Sequence, residues 1–182
     1  MGISKIHPGV VLQEAGISGH LNHGIVLENG TLLTSNCVAN SFAGAESVVV
    51  AVCTIGPELE KISSDALRES PFLAMAYDGL GTAAVYAIRD QVCSRLEERA
   101  NSRGLKISSP LSPGDPDWPV KKGQMEIFSL LDANRISVKL SESGMMHPKK
   151  SLSFVVGLGK NMEQVDLCAV CSIRDRCRHK HQ

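Results

Sequence analysis

The chain has 182 residues, long enough for one domain with a buried core and a small appendage. Lysine and arginine balance aspartate and glutamate at 19 each, so no whole-chain field draws it to nucleic acid or to an anionic membrane. No apolar run approaches the roughly 20 residues of a membrane span, and the opening MGISKIHPGVVLQEAG lacks the charged-then-apolar order of a signal peptide; a cytoplasmic protein is expected.

In chain order, GIVLENGTLLTS (24–35) carries Asn29-Gly30 between two apolar arms and predicts a hairpin. ESVVVAVCTIG (46–56) predicts a buried strand closed by Gly56-Pro57. Leu59, Ile62 and Leu67 recur near one face of a helix that opens at Pro57 and breaks at Ser70-Pro71. A longer helix is predicted from Phe72 to Asn101, on the recurrence of Leu80, Ala84, Ile88, Val92 and Leu96, with Gly104 as its stop. SSPLSPGDPDWPVKKG (108–123) holds four prolines, two glycines and the only tryptophan; it predicts a long loop, and long loops inside compact domains tend to carry function. A short helix (124–133), a strand (136–143) and a second strand (151–159) follow, with His147-Pro148-Lys149-Lys150 in the connection. Helices and mostly antiparallel strands in this mixed order predict an α+β fold.

The six cysteines are too few and too unevenly spaced for a secreted disulfide scaffold. Cys37, Cys53 and Cys93 read as core or near-core residues. The tail CAVCSIRDRCRHKH (168–181) is different, because Cys168-x-x-Cys171 lets two sulfurs reach one ion and Cys177 follows after five residues. His179 or His181 can complete a four-ligand zinc set, and an iron–sulfur cluster can use the same thiolates. The spacing is not the CxxxCxxC of radical enzymes that use S-adenosylmethionine. Cys171-x5-Cys177-x3-His181 matches the closing half of an RNA-binding finger, but the opening half is wrongly spaced and the tail has no aromatic residue to stack on a base, so no nucleic-acid partner is expected. His7, His20, His23 and His147 are dispersed. The chain thus divides into a domain over residues 1–160 and a metal-binding tail over 161–182.

The succession AVCTIGPELE (51–60), YDGLGTAA (77–84), SPGDPDWP (112–119) and MEIFSLLDANRISVKLSESGMMHPKKSLSFVVGLG (125–159) resembles the activation domain of cobalamin-dependent methionine synthase. It is similar in particular to free-standing small proteins of that family, some of which end in a cysteine cluster. The resemblance spans roughly residues 25–160 and is most specific in the LSES-x-MM-x-P-x-x-S block.

The resemblance implies a twisted, mostly antiparallel sheet with helices, and a domain that binds S-adenosylmethionine and presents its methyl group to an oxidised corrinoid on a partner. One-electron reduction of cob(II)alamin together with methyl transfer then restores methylcobalamin, the protein supplying position and charge complementarity. Pro113, Gly114, Glu142 and Ser143 are the ligand-pocket candidates it implies, and a corrinoid protein or corrinoid methyltransferase is the implied partner.

This chain departs from the family where the ligand is anchored. The family pattern of approximately Arg-x-x-Pro-Gly-Tyr is here Pro110-Leu111-Ser112-Pro113-Gly114-Asp115, and an acidic position in the long helix falls at Tyr86. Loss of the arginine and gain of an aspartate predict that S-adenosylmethionine does not bind in the family manner. Two functions follow as expectations: an accessory protein of corrinoid-dependent methyl transfer that helps reactivate or methylate cobalt, or a non-catalytic metal-binding or interaction module that kept the fold and lost the ligand.

Overall fold

The structure, a computed structural model, describes residues 6–162. Its centre is a six-stranded sheet, antiparallel in every pairing, built from β1 (Gly9–Leu21), β2 (Gly24–Leu27), β3 (Leu32–Leu33), β4 (Ser47–Thr54), β5 (Lys106–Ile107) and β8 (Ser151–Gly159) in the order β3-β2-β1-β4-β8-β5. A separate two-stranded ribbon consists of β6 (Lys139–Leu140) and β7 (Met146–His147). The helices are α1 (Asn36–Ser41), α2 (Glu58–Ala66), α3 (Pro71–Ser102) and α4 (Val120–Phe128), with a 3₁₀ turn at Ala133–Ile136.

β4 shows why the middle of the sheet forms. Successive side chains of a strand point to opposite faces, and both faces are covered here, so SVVVAVCT reads as one continuous apolar run. Val48, Val50 and Val52 enter a core with α1, Trp118, Ile127 and Val155, while Val49, Ala51 and Cys53 enter a second core with Leu59, Val85, Leu96 and Phe154. β4 pairs with β8 from Ser47↔Leu158 to Thr54↔Ser151, and with the first half of β1 from Gly9↔Thr54 to Gly16↔Ser47. The second half of β1 leaves that ladder, passes an irregularity between Ile17 and Gly19, and pairs with β2.

The Asn29-Gly30 hairpin is present: Gly30 has φ of 83°, and the Asn29 side chain accepts the Thr31 amide at 3.0 Å. α3 starts where its caps direct, with the Ser70 hydroxyl accepting the Leu73 amide and Pro71 in the first turn. At 1.5 Å per residue it is about 48 Å long. Despite that length, no helix of the described residues is long and apolar enough to cross a membrane. Gly81 leaves a notch in α3 that receives the Lys150 stem, since a Cβ there would lie 3.1 Å from Lys150 Cγ. The Lys150 ammonium ends 2.8 Å from Asp78 and donates to Thr82 Oγ1 at 3.0 Å, fastening the start of β8 to α3.

Two expectations are corrected, and one strand is added. α4 begins at Val120 and ends at Phe128, not 124–133. The predicted strand over 136–143 is a 3₁₀ end, the two residues of β6, and a turn. The first strand, β1, was not foreseen. The α+β architecture with its antiparallel sheet stands as expected, whereas Cys168, Cys171, Cys177, His179 and His181, with the boundary at 160/161, lie outside the described residues or at their edge.

Candidate functional site

The four ligand-pocket candidates sit on two turns that flank the first turn of α4. The first turn follows β5. Leu111 pairs with Val155 as an isolated bridge, extending the edge of β8, and the chain then folds back through Ser112–Trp118. Gly114 donates its amide to Trp118 O at 2.8 Å, and the Ser112 amide donates to the Asp115 carboxylate at 2.7 Å. The second turn joins β6 to β7. Ser141 accepts the Gly144 amide at 2.9 Å, its hydroxyl accepts the Met145 amide at 3.0 Å, and Ser141 and Ser143 hydroxyls are 2.9 Å apart, leaving Glu142 and Ser143 exposed at the tip.

α4 spaces the two turns. A Cβ on Gly114 would meet Val120 Cγ2 at 3.3 Å, and one on Gly144 would meet Lys121 Cα at 2.9 Å, so each turn packs on an adjacent residue of the helix start. Trp118 fixes the helix from beneath. Its indole is 1 % exposed, and Nε1 donates to Glu126 Oε2 at 3.0 Å, an oxygen that also accepts the Thr34 amide at 3.4 Å. Gly123 makes this approach possible, because any Cβ there would fall 2.7 Å from the indole nitrogen.

Pro113 and Gly114 therefore lie near Glu142 and Ser143 across the α4 start, and none of the four lines either of the two clefts of about 600 Å³. The principal clefts open elsewhere: one of about 590 Å³ along Phe128–Leu140, and one of about 600 Å³ between α2 and the β6–β7 ribbon. The sequence reading also missed the Trp118–Glu126 pair, for which the i, i+8 separation across an uncertain helix start gave no periodic signal.

Asp115 is the titratable group of the first turn whose environment departs from the ordinary. Burial pushes its carboxyl above the usual carboxylate range, against the opposing pull of the Ser112 amide and of the Arg89 guanidinium. Arg89 is itself engaged, 2.7 Å from Asp90 and stacked over Tyr86 at 4.7 Å from the ring centre. A folded-state pKa above the unfolded one means that the folded state binds this proton more tightly. The cost of the ionised group is thus present at neutral pH and relieved as pH falls through the folded pKa. Asp115→Asn keeps an acceptor for Ser112 and removes the charge. Thermal melts from pH 7 down to about pH 4 should show the variant above wild type at neutral pH, with the gap closing on acidification; a pH-independent gap would refute the assignment.

No described cluster of three or more histidine, cysteine or carboxylate side chains is placed to hold a metal. Cys37 and Cys53 are buried, Cys93 is half-buried, and burial raises all three thiols, Cys53 to about 11.

No protein-family model matches the chain, and no curated protein matches it in sequence. Among solved structures, the chain is similar to the MetH reactivation domain bound to AdoHcy, with a TM-score of 0.67 and 15 % identity. The match covers 90 % of this chain and 62 % of that one, so this chain spans less than two thirds of its structural neighbour. The fold of this chain is that of the MetH reactivation domain, the architecture that the sequence resemblance implies.

Proposed function

We propose that this protein is an accessory factor of corrinoid-dependent methyl transfer, docking on a corrinoid protein or its methyltransferase and assisting the return of inactive cobalt to the methylated state. The observation that carries this reading is the likeness of 90 % of the chain to a reactivation domain, one whose structure holds AdoHcy. The two turns packed on the α4 start, Pro113–Gly114 and Glu142–Ser143, are assigned in this reading to the surface facing the partner. The tail over 161–182 is read as a metal-binding appendage acting in a cytoplasmic, reducing setting. An iron–sulfur cluster is preferred to zinc there, since Co(II) takes up one electron to become Co(I) and zinc has no redox role. Such a cluster would be held by Cys168, Cys171 and Cys177 with His179 or His181, and would supply one-electron transfer from an external donor.

In this reading the protein does not hold S-adenosylmethionine as the family does. Pro110 offers no guanidinium to the ligand's carboxylate, and Asp115, half-buried and tied to the Ser112 amide, presents a charge of the same sign. Calorimetry should give a dissociation constant weaker than about 1 mM; a micromolar or tighter value, about −8 kcal/mol, overturns this part of the reading.

The docking itself is tested with the full-length protein immobilised in an anaerobic lysate. It should retain a protein with a corrin absorption spectrum, or the methyltransferase that serves it. Retention of RNA that weakens steeply with salt, with no corrinoid protein, would replace the reading by a nucleic-acid one.

A further inference from the structure

A concentration of positive charge lies away from the α4 start, in the cleft of about 600 Å³ between α2 and the β6–β7 ribbon. Lys139 and His147 are cross-strand partners in that ribbon. Directly opposed residues share a face with their Cβ atoms about 5 Å apart, so the two side chains leave the ribbon side by side. Lys61 and Ser64 line the facing wall from α2, and Ser137 lines the floor.

Among the described residues the cleft is lined by one carboxylate, Glu60, and Lys149 occupies it twice. The Lys149 backbone amide donates to Glu60 Oε2 at 2.9 Å, and its ammonium lies 3.2 Å from Oε1. Lys61 and Lys139 have no carboxylate at ion-pair distance among the described residues. In a chain whose formal charge is zero, two lysines and a histidine are thus gathered from two elements onto one cleft while the local carboxylate is neutralised. Like charges facing one another repel, and an anion between them converts that repulsion into attraction.

The donor set narrows the class of anion. No arginine of the described residues lines the cleft, so they offer it no planar fork to match a carboxylate. Lysines act as point charges and, with an imidazole N–H and serine hydroxyls, approach from different walls, which suits the spread oxygens of a tetrahedral phosphate. The volume exceeds that of a bare ion, and Pro57 and Pro148 give apolar flanks for an attached organic group.

We propose that this cleft binds the phosphate group of a phosphate ester, with Lys61 and Lys139 as charge partners and His147, Ser64 and Ser137 as donors. The site stands on its own geometry and does not depend on the methyl-transfer reading. If that reading holds, the ester is the phosphodiester of the partner's corrinoid; otherwise it is a free phosphate ester.

The test uses the full chain and inorganic phosphate, followed by amide chemical shifts at constant ionic strength. Saturable shifts at Lys61, Lys139 and His147 are expected, and a Lys61→Ala/Lys139→Ala variant, altered at exposed positions, should weaken binding at least roughly tenfold with an unchanged melting temperature. Equal shifts from chloride, or phosphate binding that the double variant retains, would mean an adventitious ion only and overturn the proposal. Cobalamin against cobinamide, which lacks the nucleotide phosphodiester, then identifies the source. A preference for cobalamin that the double variant loses assigns the corrinoid, and equal weak binding of both, with phosphate binding intact, assigns a free ester. A failed pull-down with intact phosphate binding would count against the methyl-transfer reading alone.

Discussion

Trp118→Ala should destabilise the protein by about 3–5 kcal/mol, the range for removing a large buried aromatic residue. The melting temperature should fall by on the order of 10 °C. The indole is among the largest fully buried side chains and lies in the core that holds Val50, Ile127 and Val155. Removing it leaves a cavity under α4 and leaves Glu126 without its Nε1–H donor. Trp118→Phe separates the two effects: it keeps most of the packing and loses the hydrogen bond, a loss of about 1 kcal/mol or somewhat more given the carboxylate acceptor. The two turns that carry Pro113–Gly114 and Glu142–Ser143 rest on the α4 start, so the alanine variant should also alter their amide shifts. An alanine variant that melts within about 1 kcal/mol of wild type would mean that this loop is not part of the core.

The elements most legible in the sequence were those whose burial left a pattern. β4 and β8 are covered on both faces and read as apolar runs, and α3 announces itself through Ser70-Pro71 and Gly104. β1 left almost no such trace: of its thirteen residues, Val11 is the buried one, and Val10 and Leu12 are exposed. Its strand character comes from pairing with β4 and β2, which is tertiary information. Gly123 concealed the start of α4, because a glycine inside a helix costs about 1 kcal/mol relative to alanine and argues for a loop. What makes it acceptable is the indole packed against it, a contact between residues that the sequence places in a proline-rich loop.

The candidate site divides along the same line. The Pro113–Gly114 and Glu142–Ser143 turns were readable as motifs, but the α4 start between them was not, since it depends on Val120 and Lys121 touching two separate glycine positions. Reading 136–143 as a strand also hid the opposition of Lys139 and His147. Once the turn is centred at Ser143, residues four before and four after it must pair, and a lysine and a histidine meet across the ribbon.

Cys171→Ser should abolish metal binding, whereas Cys93→Ser should leave it unchanged. Cys37 is 2 % exposed and within 3.0 Å of the Ser35 hydroxyl, and Cys53 is fully buried in β4. Burial holds the Cys37, Cys53 and Cys93 thiols above their ordinary pKa, Cys53 at about 11, so at neutral pH they are protonated and poor ligands. The expected source of thiolates for a soft metal is therefore Cys168, Cys171 and Cys177, which the sequence flanks with Arg174, Arg176 and Arg178, with His179 or His181 as a fourth ligand. Protein purified without oxygen should carry about one equivalent of zinc or of a cluster. The serine variant should lose it while keeping its melting temperature, because serine is close to cysteine in size and the substitution leaves the residues of the two described cores unaltered. Wild type free of both iron and zinc, or a Cys171→Ser protein that retains its metal, would remove the tail from the metal-binding class.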